Sequence, residues 1–286
     1  MQIFITFALT LFLSHLCNSV IKIEHVQVPK SIENDTQTNV VLDCVYTFNE
    51  NEDNNLVVKW YFNNNTEPIY QWIPNIGSRF VSTYWKSKIN LNYALDTENP
   101  LTKYRAINLI RPMTELSGNY TCVVMSLTSE DSKASEMIVY AAPKIFDFNY
   151  TREIIETQSS LNVTNELSSD MHLNKTDFNK TGATLQCDIS QVYPLPEVMI
   201  YHVDINGTNL LSLRVKNETK RIGTHSYNVS VSSYVNDQEL VQKFGEQKIS
   251  IFECLVTLPL PEHKPSYKKR ITYIRGCIKF RNKLLN

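Results

Sequence analysis

Apolar and polar residues alternate over short stretches in two parts of the chain, which indicates β-strands with one buried face. In the first part, Val40, Leu42 and Cys44 fall on one face of a strand, and Trp60 follows 16 residues after Cys44 in a second apolar run. In the other part, residues 183–187 form a similar stretch that ends in a cysteine. A length of 286 residues suggests two modest domains.

The N-terminus carries an apolar segment without charged residues at 3–16, followed by the small polar stretch 17–19. This pattern predicts a secretory signal peptide over residues 1–19, because the segment is shorter than the roughly 20 apolar residues that span a bilayer. The alternative is a buried helix or strand at the start of a cytosolic domain. Two further features of the sequence favour export.

The first feature is a set of ten Asn-x-Ser/Thr glycosylation acceptors. A chain rich in Asn generates several of these by chance, but their density favours the secretory pathway, where each occupied site marks a surface that faces solvent. The acceptors are Asn34, Asn64, Asn119, Asn149, Asn162, Asn174, Asn179, Asn206, Asn217 and Asn228.

The second feature is the spacing of the cysteines. Five remain after removal of the signal peptide, and their wide separation fits disulfides in an oxidising compartment, because a metal site would show closely spaced Cys or His residues. We expect one bridge between Cys44 and Cys122 and another between Cys187 and Cys254, which leaves Cys277 without a partner. The sequence implies no metal and no cofactor.

The motifs of the first domain resemble those of a variable-type immunoglobulin domain. Trp60 stands where the family's core Trp packs against the disulfide between the two sheets. Residues 116–122 are similar to the family's Asp-x-Gly-x-Tyr-x-Cys motif, in which Tyr120 would form the tyrosine corner. The resemblance implies an all-β domain over residues 20–142, with room for the two extra edge strands of the variable type.

A narrower resemblance lies in residues 58–61 and 68–74, which contain Trp60, Tyr70 and Trp72. These segments resemble the beaten-path family of arthropod neuronal proteins and, more distantly, the vertebrate B7 costimulatory ligands. The resemblance implies a ligand or receptor for cell-cell recognition, as in axon guidance, whose partner is a cell-surface protein of the immunoglobulin superfamily.

Residues 143–262 resemble a divergent constant-type immunoglobulin domain. Tyr193 and the proline after it are similar to the Tyr-Pro bend of such domains, while Tyr201 takes the place of the core Trp and Phe252 that of the corner Tyr. Residues 151–181 are rich in Asn, Thr and Ser, which predicts a solvated, glycosylated insertion. The whole chain is therefore expected to form two tandem immunoglobulin-like β-sandwiches.

The C-terminal segment 263–286 contains eight Lys or Arg residues and no Asp or Glu. Such clusters bind acidic glycans or anionic membrane surfaces, so we expect a basic tail that holds heparan sulfate, with Cys277 available for an intermolecular disulfide. The alternatives are a disordered end or a truncated product that has lost a membrane anchor. The net charge of −1 over the whole chain gives no indication of a nucleic-acid partner.

Strand parity in the first domain predicts where a partner binds. If the core Trp and the second cysteine face inward, alternate residues of their two strands face outward on one sheet, where exposed aromatic and apolar side chains are typical anchors. The predicted binding residues are Lys59, Tyr61, Tyr70, Trp72 and Val123. The alternative for Tyr70 and Trp72 is that they cover the edge of the sandwich.

Catalysis is not expected, because the histidines are scattered and no nucleophile motif or phosphate-binding glycine loop is present in the sequence. Binding is therefore the predicted activity. A secreted immune or pathogen-recognition protein and a matrix-tethered structural protein are the functions that compete with cell-cell recognition.

Overall fold

A computed structural model describes residues 21–48, 55–155, 180–204, 207 and 210–275. The chain divides into two compact units, Met1–Ala141 and Ala142–Asn286. Within the described ranges the units consist mainly of antiparallel strands, with one α-helix. No helix in this part of the chain combines the length and the hydropathy that crossing a bilayer requires.

Several sequence predictions concern segments outside the described residues. These are the signal peptide 1–19, most of the insertion 151–181, the end of the basic tail, Asn162, Asn174, Asn179, Asn206 and Cys277.

Nine strands make up the described part of the first unit, together with short 3-10 turns at Pro74–Ile76, Thr83–Trp85, Pro100–Thr102 and Thr114–Leu116. The strands are β1 (Lys22–Gln27), β2 (Ser31–Glu33), β3 (Asn39–Thr47), β4 (Val57–Phe62), β5 (Tyr70–Ile73), β6 (Ser78–Val81), β7 (Ile107–Ile110), β8 (Gly118–Met125) and β9 (Glu130–Tyr140).

These strands form a sandwich of two sheets. The six-stranded sheet has the order β2-β9-β8-β4-β5-β6, and the three-stranded sheet has the order β1-β3-β7. Strand β2 runs parallel to β9, and the remaining pairs are antiparallel. Side chains of both sheets meet in one apolar core, and the short strands β5 and β6 extend the larger sheet as in a variable-type domain.

The disulfide between Cys44 and Cys122 joins β3 to β8 and so links the two sheets at the centre of this core. Trp60 lies opposite Cys122 in the register of β4 and β8 and is fully buried. Its indole Nε1 donates a hydrogen bond of 2.9 Å to the carbonyl oxygen of Arg105. The largest core side chain therefore packs beside the bridge with its one polar atom satisfied.

A tyrosine corner closes the same core. The hydroxyl of Tyr120 donates to the carbonyl oxygen of Leu116 at 2.8 Å, and Tyr120 is fully buried. Burial raises the pKa of this hydroxyl, so it stays protonated and remains a donor. Beside the corner, the carboxylate of Glu115 pairs with Nζ of Lys88 at 2.9 Å.

The second unit is also a sandwich, made of two four-stranded sheets in the orders β10-β11-β15-β14 and β13-β12-β16-β17. Helix α1 begins after Asn236, whose side-chain oxygen accepts hydrogen bonds from two backbone N–H groups of the first turn. The elements are β10 (Ile145–Ile155), β11 (Lys180–Val192), β12 (Glu197–Val203), β13 (Leu210–Ser212), β14 (Lys216–Arg221), β15 (Tyr227–Asn236), α1 (Asp237–Phe244), β16 (Ile249–Thr257) and β17 (Ser266–Ile274).

The second predicted disulfide, Cys187–Cys254, joins β11 to β16. The expectation that Tyr201 fills the core beside it is wrong. Ile200 lies opposite Cys254 and is fully buried, whereas Tyr201 lies opposite Glu253 and is half-buried on the other face of the sheet. Because side chains alternate along a strand, a difference of one residue in the count from the cysteine moves the aromatic ring out of the core.

The predicted boundary at residue 262 is also wrong. Residues 266–274 form β17, which pairs along the whole of β16, so much of the expected basic tail is the last strand of the sandwich. Two of its cations are already paired: Nζ of Lys269 lies 2.9 Å from Oδ1 of Asp147, and Nε of Arg270 lies 2.5 Å from Oε2 of Glu253. The density of basic residues hid the alternating apolar positions that a paired strand requires.

The ends of the predicted insertion 151–181 are likewise strands. Residues 151–155 complete β10 and residues 180 and 181 begin β11, and the two strands are paired along this stretch. Polar composition predicted a loop here, but the backbone ladder extends through polar residues because neighbouring strands supply the hydrogen-bond partners.

Candidate recognition surface

The outer face of the six-stranded sheet carries three of the predicted binding residues. Lys59 and Tyr61 alternate with the buried residues of β4, and Val123 lies opposite Lys59 on β8. All three side chains are partly exposed on the face that points away from the core. A partner that approached this sheet would therefore meet them together.

Tyr70 and Trp72 do not belong to this face, and the expectation that they are exposed is wrong. Their side chains are only 3% and 2% exposed. Tyr70 lies opposite Trp60 and Trp72 lies opposite Val58, and residues that face each other across antiparallel strands share one side of the sheet. The hydroxyl of Tyr70 donates to the carbonyl oxygen of Tyr104 at 2.8 Å, so its polar end is satisfied inside the domain.

The outward positions of β5 are Gln71 and Ile73, and they lead to apolar residues that sequence reasoning missed. Phe80 of β6 lies opposite Gln71 and is 53% exposed. Ile76, in the turn between these strands, is 72% exposed. The alternation of buried Val81 with Phe80 in β6 was the available signal, but its meaning depends on the register with β5.

Cross-strand register brings these residues to one end of the sheet. Ile73 lies beside Val57, because the adjacent pair Val58 and Trp72 is in register, and Val57 in turn lies opposite Met125. The turn after β8 adds the side chain of Leu127, which is 83% exposed. We call this group the apolar end of the sheet; its members are Ile73, Ile76, Phe80, Val123, Met125 and Leu127.

The turn that presents Leu127 is held by polar side chains. Ser126 N–H donates to the carbonyl oxygen of Ser129 at 2.8 Å, which closes the turn between β8 and β9. Asp131 accepts a 2.7 Å hydrogen bond from the backbone N–H of Ile23, which fastens β1 to β9. The exposed Leu127 thus projects from a braced hairpin, and Asp131 has a structural role.

The opposite end of the same face carries two glycosylation acceptors. Asn119 is exposed on β8, and Asn64 is exposed in the turn after β4. Backbone bonds connect the two segments, since Asn63 N–H donates to the carbonyl oxygen of Asn119 at 2.7 Å. Six residues of β8 separate Asn119 from Met125, or about 20 Å at roughly 3.4 Å per residue. A glycan at Asn119 would therefore crowd the polar end and leave the apolar end open.

No protein-family model and no curated protein matches this sequence. Among solved structures, the chain is similar to bovine butyrophilin, with a TM-score of 0.53, 11% identity and coverage of 87% of this chain and 96% of that chain. The chain has an immunoglobulin-superfamily fold. The extracellular portion of mouse CD200RLa also matches, with 10% identity, a TM-score of 0.46 and coverage of 87% of this chain and 100% of that chain. Likeness at these identities concerns the fold alone.

The second immunoglobulin-like sandwich presents a different face on its sheet β10-β11-β15-β14. Asp188 accepts hydrogen bonds from Ser230 Oγ at 2.7 Å and from Gln186 Nε2 at 3.0 Å, so the exposed middle of the sheet is a polar network. Asn149 and Asn228 stand on the same side of this sheet. We call it the polar face.

The remaining described acceptors lie at accessible positions as well. Asn217 is exposed on the edge strand β14, and Asn34 is partly exposed after β2. Oδ1 of Asn228 accepts a hydrogen bond of 3.0 Å from Gln191 N–H. None of the six acceptors in the described residues is fully buried, which is compatible with modification.

Proposed function

We propose that this protein is an extracellular recognition protein that binds another cell-surface protein through the apolar end of its first domain. The observation that carries the proposal is the group of exposed apolar side chains on a flat, well-packed sheet. Apolar side chains clustered on a rigid surface are typical of binding interfaces, since little conformational entropy is lost when a partner covers them.

Export is part of the same proposal. Two disulfides, ten glycosylation acceptors and the predicted signal peptide all fit a protein that matures in the secretory pathway. The role is binding and not catalysis. The resemblance of residues 58–61 and 68–74 to the beaten-path family supports a partner of the immunoglobulin superfamily and a role in guidance between cells.

Binding of heparan sulfate through the C-terminal region is less well supported. Lys269 and Arg270 are engaged by Asp147 and Glu253, which reduces the charge that this strand offers to a polyanion. We therefore assign glycan binding and matrix retention to the alternative outcomes of the experiment below.

The experiment presents the full secreted chain, multimerised as a pentamer, to a panel of cell-surface immunoglobulin-superfamily ectodomains. Phe80→Glu is expected to weaken the specific interaction at least about tenfold, because a carboxylate would be desolvated in an apolar interface. Leu211→Glu, an equivalent change at an exposed strand position of the second unit, is the matched control and is expected to leave binding unchanged.

A second control addresses the position of the interface. Asn119→Gln removes the acceptor at the polar end of the sheet and is expected to leave binding unchanged. Equal binding by the wild type and by Phe80→Glu, with both variants folded, would contradict the proposal. Retention on heparin or on bacterial surfaces, with no protein partner in the panel, would favour the matrix or immune alternatives.

A further inference from the structure

One end of the second sandwich contains an open cavity of about 630 Å³. The ends of β12, β16 and β17 and the turn after α1 surround it. Most of its walls are apolar, formed by Val203, Phe244, Ile249 and Ile251. Its volume lies within the range of roughly 300–1,000 Å³ that is usual for small-molecule sites.

A buried cation lines this cavity. Arg275 directly follows β17 and is only 7% exposed. Its Nη2 donates to the carbonyl oxygen of Gly245 at 3.1 Å, but Nε and Nη1 are buried and have no hydrogen-bond partner among the described residues. A guanidinium remains charged in proteins, and unpaired buried donors are costly, so these two nitrogens form a site that an anion would satisfy.

The position of Arg275 is fixed by its backbone. Its N–H donates to the carbonyl oxygen of Lys248 at 2.8 Å, which extends the pairing of β17 with the segment before β16. Side chains alternate along β17, and Arg275 therefore shares the inward side with Tyr273, which is 1% exposed. The charge is thus held at the end of the core by the strand itself.

The other charged groups of the cavity leave an excess of one positive charge. Lys248 contributes a second cation and Asp204 one anion. His202 stacks on Phe244 with ring centroids 3.7 Å apart. Burial and the nearby Arg275 lower the pKa of His202, so its imidazole is neutral at neutral pH. A single excess charge beside apolar walls fits a monoanion with a hydrocarbon body better than it fits a phosphate monoester, which carries about two charges.

We propose that this cavity binds a small amphipathic carboxylate of the fatty-acid type. Its carboxylate accepts hydrogen bonds from Arg275, and its hydrocarbon chain lies against Phe244, Ile249 and Ile251. The site lies wholly in the second unit and does not depend on the recognition surface of the first.

The test measures binding of dodecanoate, below its micelle concentration, to the full chain with its disulfides intact, by titration calorimetry. Dodecanol is the matched ligand without the charge. Dodecanoate is expected to bind at least about tenfold more tightly than dodecanol, since a charge-assisted hydrogen bond to a desolvated guanidinium contributes on the order of 1.5–3 kcal/mol. Equal affinity for the two ligands, or no binding of dodecanoate, would overturn the proposal.

Two variants locate the site. Arg275→Met keeps the length of the side chain but removes the charge, and is expected to abolish the preference for dodecanoate. Lys268→Met removes an exposed cation of the same strand and is expected to change nothing. If Arg275→Met does not fold, Ile249→Glu provides the test: Ile249 is 55% exposed, and a carboxylate there repels the ligand and weakens binding at least about tenfold. Undiminished binding by a folded variant of either residue would exclude this cavity.

Discussion

The two sandwiches place their disulfides alike but surround them with different side chains. In the first unit, Trp60 lies opposite the second cysteine, and the hydroxyl of Tyr120 bonds to the backbone of its own turn. In the second unit the equivalent positions hold Ile200 and Phe252, which are fully buried and purely apolar. The first core therefore combines packing with fixed hydrogen bonds, whereas the second depends on packing alone at these two positions.

This difference has a local cause in the backbone. The carbonyl four residues before Tyr120, that of Leu116, accepts the Tyr hydroxyl. The carbonyl four residues before Phe252 belongs to Lys248, and it accepts the backbone N–H of Arg275. The second unit thus uses this acceptor to extend its last strand, and an apolar Phe fits the place where a Tyr hydroxyl would lack its usual acceptor.

The largest difference should appear when the core residue opposite each bridge is truncated. Trp60→Ala is expected to destabilise the first unit by about 3–5 kcal/mol, because it leaves a cavity and an unpaired carbonyl of Arg105. Ile200→Ala is expected to cost the second unit about 2–3 kcal/mol. Chemical denaturation measures both: all three Trp residues lie in the first unit, so fluorescence of the remaining two reports on that unit and far-UV circular dichroism reports on both. A larger cost for Ile200→Ala would contradict this comparison.

Ion pairing beside the first cysteine gives the next difference. Asp43 accepts two hydrogen bonds from Arg105, at 2.8 and 2.9 Å, and both side chains are largely buried. Asp43→Asn should cost about 2–3 kcal/mol, because it leaves a mostly buried guanidinium without its counter-ion. Asp188, beside Cys187, is bonded only to neutral groups at greater exposure, so Asp188→Asn is expected to cost less than about 1 kcal/mol. Similar midpoint shifts in urea for the two variants would show that the pair contributes little.

Exchange of the corner side chains should give a smaller effect. Tyr120→Phe is expected to cost about 1–2 kcal/mol, the value of a buried hydrogen bond whose carbonyl acceptor is left unpaired. Phe252→Tyr should also destabilise, by about 1–3 kcal/mol, because its carbonyl is already occupied and the added hydroxyl is buried. Thermal denaturation of each variant decides the matter, and an increase in stability for Phe252→Tyr would show that the second core has an acceptor of its own.

Sequence alone predicted the parts of these cores that depend on local spacing. The interval from Cys44 to Trp60 and the motif around Tyr120 are local signals, and the disulfide pairing followed from the order of widely spaced cysteines. Tyr70, Trp72 and Tyr201 were misplaced because the face of a residue depends on its register with a neighbouring strand. The exposure of Phe80 and the cavity at Arg275 depend on contacts between segments far apart in sequence, which periodicity does not reveal.

The last difference concerns pH and is expected to be the smallest. In the second unit His202 packs against Phe244 and Phe252 near Arg275 and Asp204, and burial followed by the charge of Arg275 lowers its pKa below the unfolded value of about 6.5. The unfolded chain therefore binds a proton that the folded chain does not, so this contribution to stability is complete above about pH 6.5 and declines as the pH falls toward the folded pKa.

The first unit offers a reference, because its described histidine, His25, is exposed on β1. His202→Gln should remove part of the loss of stability of the second unit between pH 7 and pH 5, and it should leave the fluorescence transition of the first unit unchanged. Denaturant midpoints by circular dichroism at the two pH values measure this difference. If the variant loses as much stability as the wild type on acidification, other groups cause the loss, and the buried imidazole does not distinguish the second core from the first.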